Sequence, residues 1–472
     1  MRIKKEVRKI VASVLAFLMV VSLIPVNSLM TKANAASKTT FEGGKTVEDG
    51  TWKGWTWNVF GSSTDVTKAS ATDTGNGGVT LEVTGDKGKI NGSASDQGLN
   101  TFLYELDKSY DFTITAQAKI DTLATNEQAA FGLTIRDNVG THGNTTKLTA
   151  DKNNFAFVGG YGNKDNNADE TTNHGNAGYK TTKLKHTRLG ESPAVGGTYD
   201  LAIQKIGDSV KLYFDGEVAA ECSAADLITD DTMYVGLFAA RNAKITFNNV
   251  KLAYTQDSSS VKVTNVTAPK KTTYCAGNTY EDVDLTGFKA TVSVDGKERE
   301  ITAADCVVDM SSKPFSEVTE AGKLNLLYLG QVIEVPITVI KEVVSDMYIE
   351  YMPVKTDYMV TDTALDFTGL VGKVVYNSGR TFDLKTLIDN KDANTTVSDV
   401  DFKIAGDKEV TISHTYGDVT KDVIIPISIS DATVKNITIT NPNTTRFYTD
   451  SKYDENDYVE GLTITADYSD GS

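Results

Sequence analysis

The chain has 472 residues, 23% of them charged, with a formal net charge of −16. That balance excludes the basic stripe a nucleic-acid surface needs, and the length excludes a single continuous core, so two to four domains are expected. Only three cysteines are present, which excludes a disulfide scaffold; Cys275 and Cys306 fall in one module and could pair, leaving Cys222 alone.

At the start, Arg2, Lys4, Lys5, Arg8 and Lys9 form a basic segment ahead of the apolar run Ile10 to Val26. Pro25 breaks that run, and Ala33-Asn34-Ala35 supplies a small-x-small site, so residues 1–35 are expected to be a signal peptide cleaved after Ala35. Losing six basic and one acidic residue with it would take the formal charge from −16 to −21. No second apolar run of spanning length follows, and the expectation is a secreted or cell-surface protein of a Gram-positive bacterium, with no membrane contact after cleavage.

Beyond the leader the pattern has period 2. Phe112, Ile114, Ala116, Ala118 and Ile120 alternate with polar residues, which predicts a strand with one face buried and one wet. Phe131, Leu133 and Ile135 repeat the pattern. Tyr199, Leu201 and Ile203 lead through a Gly207-Asp208 hairpin turn to Val210, Leu212 and Phe214, and Asp215-Gly216 turns the chain again. Val235, Leu237 and Ala239, then Ile245, Phe247, Val250 and Leu252, complete an antiparallel β-sandwich over residues 40–255. The Asn-, Gly-, Thr- and Asp-rich stretch from Gly159 to Ala194 reads as long loops crossing it.

Residues 256–260 form a short polar linker, after which the sequence repeats itself. Tyr274 precedes Asp284-Leu285-Thr286-Gly287-Phe288, with Gly296 beyond. Tyr358 precedes Asp366-Phe367-Thr368-Gly369-Leu370, with Gly379 beyond. Tyr448 precedes Val459-Glu460-Gly461-Leu462, with Gly471 beyond. The central glycines are 82 and 92 residues apart. Two copies also share an ending, Tyr328-Leu329-Gly330 before Val335-Pro336-Ile337, and Tyr416-Gly417 before Ile425-Pro426-Ile427. The copies are placed at 261–343, 344–432 and 433–472, the last being the start of a truncated one, so the natural protein is expected to continue. Few contacts are expected between modules, giving a monomeric jointed rod.

These Tyr…Gly-apolar…Gly frames resemble bacterial Ig-like domains of group 3. Phe112 to Ala118, Phe131 to Asp137 and Tyr234 to Arg241 resemble the concanavalin-like (LamG/jelly-roll) accessory domains of modular pectate lyases and related polysaccharide-degrading enzymes of Gram-positive bacteria. The fold class implied is all-β: a jelly-roll/concanavalin-like sandwich followed by tandem Ig-like β-sandwiches. The role implied is glycan-facing, with polysaccharide such as pectin or another plant cell-wall glycan as partner.

The residues themselves show no catalytic constellation. His142, His174, His186 and His414 lie in expected loops or a spacer, as solvated side chains, and no His-Glu-x-x-His, Cys-x-x-Cys or nucleotide-binding loop occurs. No strand carries the alternating acids of a concanavalin-like glycosidase; the acidic cluster Glu281-Asp282-Val283-Asp284 sits in a spacer turn.

Two binding signals stand out. Trp52, Trp55 and Trp57 are all the tryptophans in the chain; their flat rings suit the C–H face of a sugar, and they would equally serve to cover the sandwich edge. Tyr104, Phe155, Phe157, Tyr161 and Tyr179 would extend the platform, while Arg136 and Arg241 could meet an acidic sugar carboxylate or an ordinary aspartate. The second signal is Asp165, Asn167 and Asp169, oxygen ligands at alternate positions that suit Ca²⁺, in a loop without the glycine and the terminal glutamate of an EF-hand.

The reading is an exported, non-catalytic glycan-binding and spacer region of a modular polysaccharide-degrading enzyme, with a pectate-lyase-like parent. The alternative is an adhesin or structural surface protein with the same stalk and no enzyme.

Overall fold

The computed structural model describes residues 39–471 apart from 62–64, 87, 91–97, 125–127, 147, 149–152, 162–173, 190–192, 444–445, 447–448, 450–451, 453–458 and 470. The expected leader, the Ca²⁺-loop residues Asp165, Asn167 and Asp169, and Tyr448 lie outside the described residues. No described helix is long and apolar enough to cross a membrane.

The protein is all-β. Among the described residues fourteen strands follow one another: β1 (Trp55–Gly61), β2 (Ala69–Asp73), β3 (Val79–Val83), β4 (Gly98–Asp107), β5 (Asp111–Leu123), β6 (Ala130–Arg136), β7 (Phe155–Tyr161), β8 (His174–Lys180), β9 (Leu184–Leu189), β10 (Thr198–Ile206), β11 (Ser209–Phe214), β12 (Glu217–Ser223), β13 (Thr232–Ala240) and β14 (Ala243–Thr255). They build two sheets, ordered β1-β4-β13-β6-β7-β8-β9 and β12-β11-β10-β5-β14-β3-β2, with every pair antiparallel.

The period-2 residues meet between these sheets. Phe112, Ile114, Ala118 and Ile120 of β5, Phe131, Leu133 and Ile135 of β6, and Val235 and Leu237 of β13 are all fully buried in one cluster. The expected turns form as well. Gly207 and Gly216 adopt φ 57° and 77°, values that cost an L-residue strain, and Asp215 precedes Gly216 at φ 44°.

Two expectations are corrected here. The stretch from Gly159 to Ala194 is not all loop, because it contains β8 and β9 at the edge of the first sheet. Its polar composition hides them: Gly175 and Gly178 pack directly against the backbone of Leu189 and Lys185, so no apolar alternation was needed there. The other correction concerns the two outer faces, neither of which is simply wet. On the first sheet, Phe60, Phe155, Phe157 and Phe238 form a second buried cluster. On the second sheet, Thr113 and Thr115 are 2% and 7% exposed.

Residues beyond 260 contain the repeat. The strands β15 (Lys262–Thr267), β16 (Thr273–Cys275), β17 (Lys289–Val294), β18 (Lys297–Thr302), β19 (Val307–Asp309), β20 (Thr319–Tyr328) and β21 (Gln331–Ile340) form sheets ordered β15-β17-β18 and β16-β21-β20-β19. The next seven, β22 (Val344–Tyr351), β23 (Asp357–Met359), β24 (Val371–Tyr376), β25 (Thr381–Asp383), β26 (Thr395–Val397), β27 (Gly406–Tyr416) and β28 (Val419–Ser430), reproduce that topology as β22-β24-β25 and β23-β28-β27-β26. In both, a short strand carrying the buried tyrosine, Tyr274 or Tyr358, pairs in parallel with the last strand. A hairpin of β29 (Val434–Thr440) and β30 (Thr463–Tyr468) follows.

The shared frame has a physical origin. Asp284 and Asp366 each accept from the backbone N–H two residues on, at 2.9 and 2.8 Å. Gly287, Gly369 and Gly461 then take φ 90°, 84° and 82°. The next apolar side chain, Phe288 or Leu370, drops into the core at 2% exposure.

Contacts divide the chain into two compact units. One comprises Met1–Thr272, Tyr280–Pro314 and Gly322–Ile337; the other comprises Thr273–Thr279, Phe315–Ala321 and Thr338–Ser472. The expectation of sparse contact after the sandwich is therefore corrected, because much of the first repeat belongs to the sandwich's own unit. In the second unit His414 is buried, not solvated, with Tyr376 and Thr395 hydroxyls each 2.8 Å from a ring nitrogen. Cys222, Cys275 and Cys306 stand as thiols outside any disulfide, so the Cys275–Cys306 bond is absent.

Gly159 pairs with Gly132 at φ 155°, and a Cβ there would run into the Phe131 carbonyl oxygen, whereas Gly196, at φ 88°, faces open space. Gly159→Ala is expected to cost about 3 kcal/mol, and Gly196→Ala about 1 kcal/mol, in urea unfolding. Equal costs at the two positions would contradict this packing.

Candidate functional site

The sequence-selected aromatics do not form an open platform. Trp52, Trp55 and Trp57 are 4%, 5% and 8% exposed and belong to the sandwich core. Trp55 stacks on Phe102 with ring centroids 5.2 Å apart, Trp52 meets both edge-on, and Trp57 Nε1 donates to Asn100 Oδ1 at 2.7 Å. Trp55 and Trp57 share a strand face as expected, but it is the inward one, and rings covered on both sides leave no face for a sugar.

Tyr104 lies at the sandwich end, its hydroxyl 3.0 Å from that of Tyr254. The Tyr254 hydroxyl is pushed up to about 12 by that hydrogen bond and then by burial. Phe155, Phe157 and Tyr161 are buried on the covered outer face of the first sheet, and Tyr179 is half-buried against the sandwich core.

The arginines do not converge. Arg136 is completely buried, its guanidinium over the Phe155 ring at 5.0 Å and donating from Nη2 to Asn153 Oδ1 at 2.8 Å. Burial brings it down to about 10. Arg136 is opposite Tyr234 in β13, whereas Arg241 follows that strand's far end and donates to the Gly88 carbonyl at 3.2 Å. Seven residues of strand rise put about 23 Å between them, too far for one carboxylate.

A different place has the form of a binding site. The outer face of the second sheet and residues 280–308 enclose a cleft of about 600 Å³, within the volume range of small-ligand sites. Strand register supplies the sandwich side. Gln117 of β5 is opposite Asp200 of β10, Thr115 is opposite Ala202, and Ala202 is opposite Tyr213 of β11. The other wall comes from Tyr280, Glu281, Val283, Leu285 and the segment Ala303 to Val308.

Several bonds within the same compact unit hold the walls together. Thr115 Oγ1 donates to the Ala304 carbonyl at 2.6 Å, Leu329 N to Thr113 Oγ1 at 3.1 Å, and Met310 N to the Gly216 carbonyl at 3.0 Å. Tyr280 Oη donates to Asp200 Oδ2 at 2.9 Å, and Gln117 Nε2 reaches Asp200 Oδ1 at 3.3 Å. Asp215 Oδ1 accepts from Asp200 N at 2.7 Å.

Accessibility grades from rim to floor. Thr198, Asn249 and Glu281 are exposed, while Tyr213, Cys306, Val307 and Val308 are buried. The Cys306 thiol is raised by burial and is correspondingly unreactive. Burial, then the neighbouring Asp200 and Glu281 charges, push the Asp215 carboxyl up to about 6 against the pull of its backbone hydrogen bond.

Sequence reasoning named Asp215 and Glu281 only as turn residues, and nothing in the local pattern signals that they meet across the chain. Among the described residues, no group of three or more His, Cys, Asp or Glu is placed to hold a metal ion.

Comparison with known proteins adds the following. Residues 61–257 match the family described as the Pectate disaccharide-lyase N-terminal domain. Over 428 residues, 89% of this chain, the sequence is 27% identical to Pectate lyase L of Thermoclostridium stercorarium; the chain spans about a third, 32%, of that relative's length. Among solved structures, a carbohydrate binding module from Bacillus subtilis aligns with 45% of this chain and 98% of its own, at 16% identity and a TM-score of 0.23. Lectin II from Ulex europaeus aligns with 46% of this chain and 97% of its own, at 10% identity and a TM-score of 0.29.

A carboxyl whose folded-state pKa is raised contributes stability that is fully present below its ordinary value near 3.8 and lost as pH rises through about 6. Asp215→Asn keeps the oxygen that accepts from Asp200 N and removes the charge. The variant's melting temperature, relative to the unmodified chain, is expected to rise between pH 4 and pH 8. A difference independent of pH would contradict the burial of this group.

Proposed function

We propose that this chain is the non-catalytic, glycan-binding and spacer region of an exported polysaccharide-degrading enzyme of the pectate-lyase type. The observation that carries the reading is the similarity to Pectate lyase L, which runs through 89% of the chain yet occupies only 32% of that protein. The catalytic module would then lie in the remainder of the full-length protein. The match of residues 61–257 to the Pectate disaccharide-lyase N-terminal domain supports an accessory role for the sandwich. The duplicated small sandwiches would set the reach of the binding head, with residues 280–308 also forming one wall of its cleft. In the exported protein this region would hold the enzyme against an insoluble polymer and raise the local concentration of cleavable bonds.

The test is affinity electrophoresis of the whole chain in gels containing pectins, xylans, galactans and glucans, with and without Ca²⁺, beside an assay for released sugar on the same panel. Retardation by at least one glycan with no sugar released is expected. Free migration in every gel would remove the glycan-binding reading, and sugar release would remove the non-catalytic one. A Ca²⁺ requirement lost on replacing Asp165 and Asp169 by Ala would support the ion site proposed at Asp165, Asn167 and Asp169.

A further inference from the structure

We infer that the cleft between the second sandwich sheet and residues 280–308 takes a neutral, hydroxyl-rich saccharide and rejects polyuronate. This deepens the glycan-binding reading above and rests on it. The lining contains three carboxylates, Asp200, Asp215 and Glu281, and no lysine, arginine or histidine. A uronate brought against such a wall meets like charge with no compensating cation, and each contact-distance pair costs roughly a hundredfold in affinity. The chain as a whole, at a formal −16, adds long-range repulsion of the same sign.

Sugar hydroxyls are suited to the same surface. A carboxylate accepts from two hydroxyls at once, and an amide both donates and accepts, so the mixture recognises vicinal diols without a charged ligand. The Glu281 and Asn249 side chains make no hydrogen bond to the described residues, and both stand exposed at the rim with their capacity unspent. Asp200 is instead held in place by Tyr280 and Gln117, which fixes its carboxylate before a ligand arrives. Tyr199 and Tyr280, each half-buried, offer aromatic surface for C–H faces between these polar groups. The volume of about 600 Å³ suits a few sugar residues.

The neutral galactan or arabinan side chains of a pectin would fit this chemistry, whereas its galacturonan backbone would not. An enzyme tethered through this cleft would be anchored on a polymer distinct from an acidic substrate.

The experiment uses the whole chain and three soluble probes: neutral galactan, neutral arabinan and sodium polygalacturonate, the last with and without Ca²⁺. Binding is measured by calorimetry for the unmodified chain and for Asn249→Ala and Glu281→Lys, two exposed positions whose replacement leaves the core untouched. Circular dichroism and melting temperature check the fold.

At least one neutral probe is expected to bind, polygalacturonate is expected not to, and each substitution should weaken neutral binding at least tenfold. Binding of polygalacturonate in preference to both neutral probes would overturn the specificity and leave the glycan-binding reading standing. Neutral binding unchanged in both folded variants would overturn the assignment to this cleft. If the unmodified chain binds none of the three probes, the inference falls. If it also migrates freely in the wider glycan gels, the reading beneath it falls too.

Discussion

The hydroxyls of Thr113 and Thr115 are the points on which the first compact unit turns. Both project from β5 away from the sandwich core, where an isolated sandwich would give them to water. Here Thr115 donates to the Ala304 carbonyl and Thr113 accepts from Leu329 N, so the outer face of the sheet is satisfied by chain some 190 to 216 residues further on. Tyr213 and Ala202 pack on Val307 beside these bonds, excluding water from the seat. A buried hydroxyl left unpaired costs about 1–3 kcal/mol, so hydrogen bonding and apolar contact must be made together. The cleft exists because that seat holds its two walls at a fixed separation.

Local patterning made much of the fold legible. Alternation in β5, β6, β10 and β13 identifies the inward residues, since a period-2 pattern only makes sense on a pleated strand with one face in the core. The repeats were legible for a different reason. An aspartate that closes a turn on the N–H two residues later, followed by a glycine in the left-handed region, leaves the same residues wherever the turn recurs. The strand β8 was hidden because its glycines serve close backbone approach to β9 and leave no apolar alternation to read.

The site was much less legible. Three tryptophans within six residues draw attention as a sugar platform, yet only the packing of Trp52 and Trp55 against Phe41 and Phe102, and of Trp57 against His142 and Asn100, shows that they are core. Arg136 faces away from the sandwich core, as its position in β6 requires, but that face is itself covered by aromatic residues and the guanidinium is buried. The cleft residues carry no shared motif. Gln117, Asp200, Asp215 and Glu281 come from three strands or turns and a later module, and only strand register and the seat at β5 bring them together. A sequence pattern encodes which face a side chain takes; it does not encode what another part of the chain lays on that face.

The proposed account is an accessory region in which a sandwich and the start of the following repeat build a binding cleft, and further small sandwiches provide reach. In that account, acidic recognition chemistry and the acidic polymer proposed as substrate are reconciled if anchoring and cleavage use different sugars. Hydrogen exchange of the whole chain, with and without saturating neutral galactan or arabinan, tests this most directly. The account predicts new protection at the amides of 115–117, 198–202, 213–216 and 280–283, with the remainder of the chain unchanged. Protection confined to the outer face of the first sheet, around 153–161, or no protection anywhere, would contradict it.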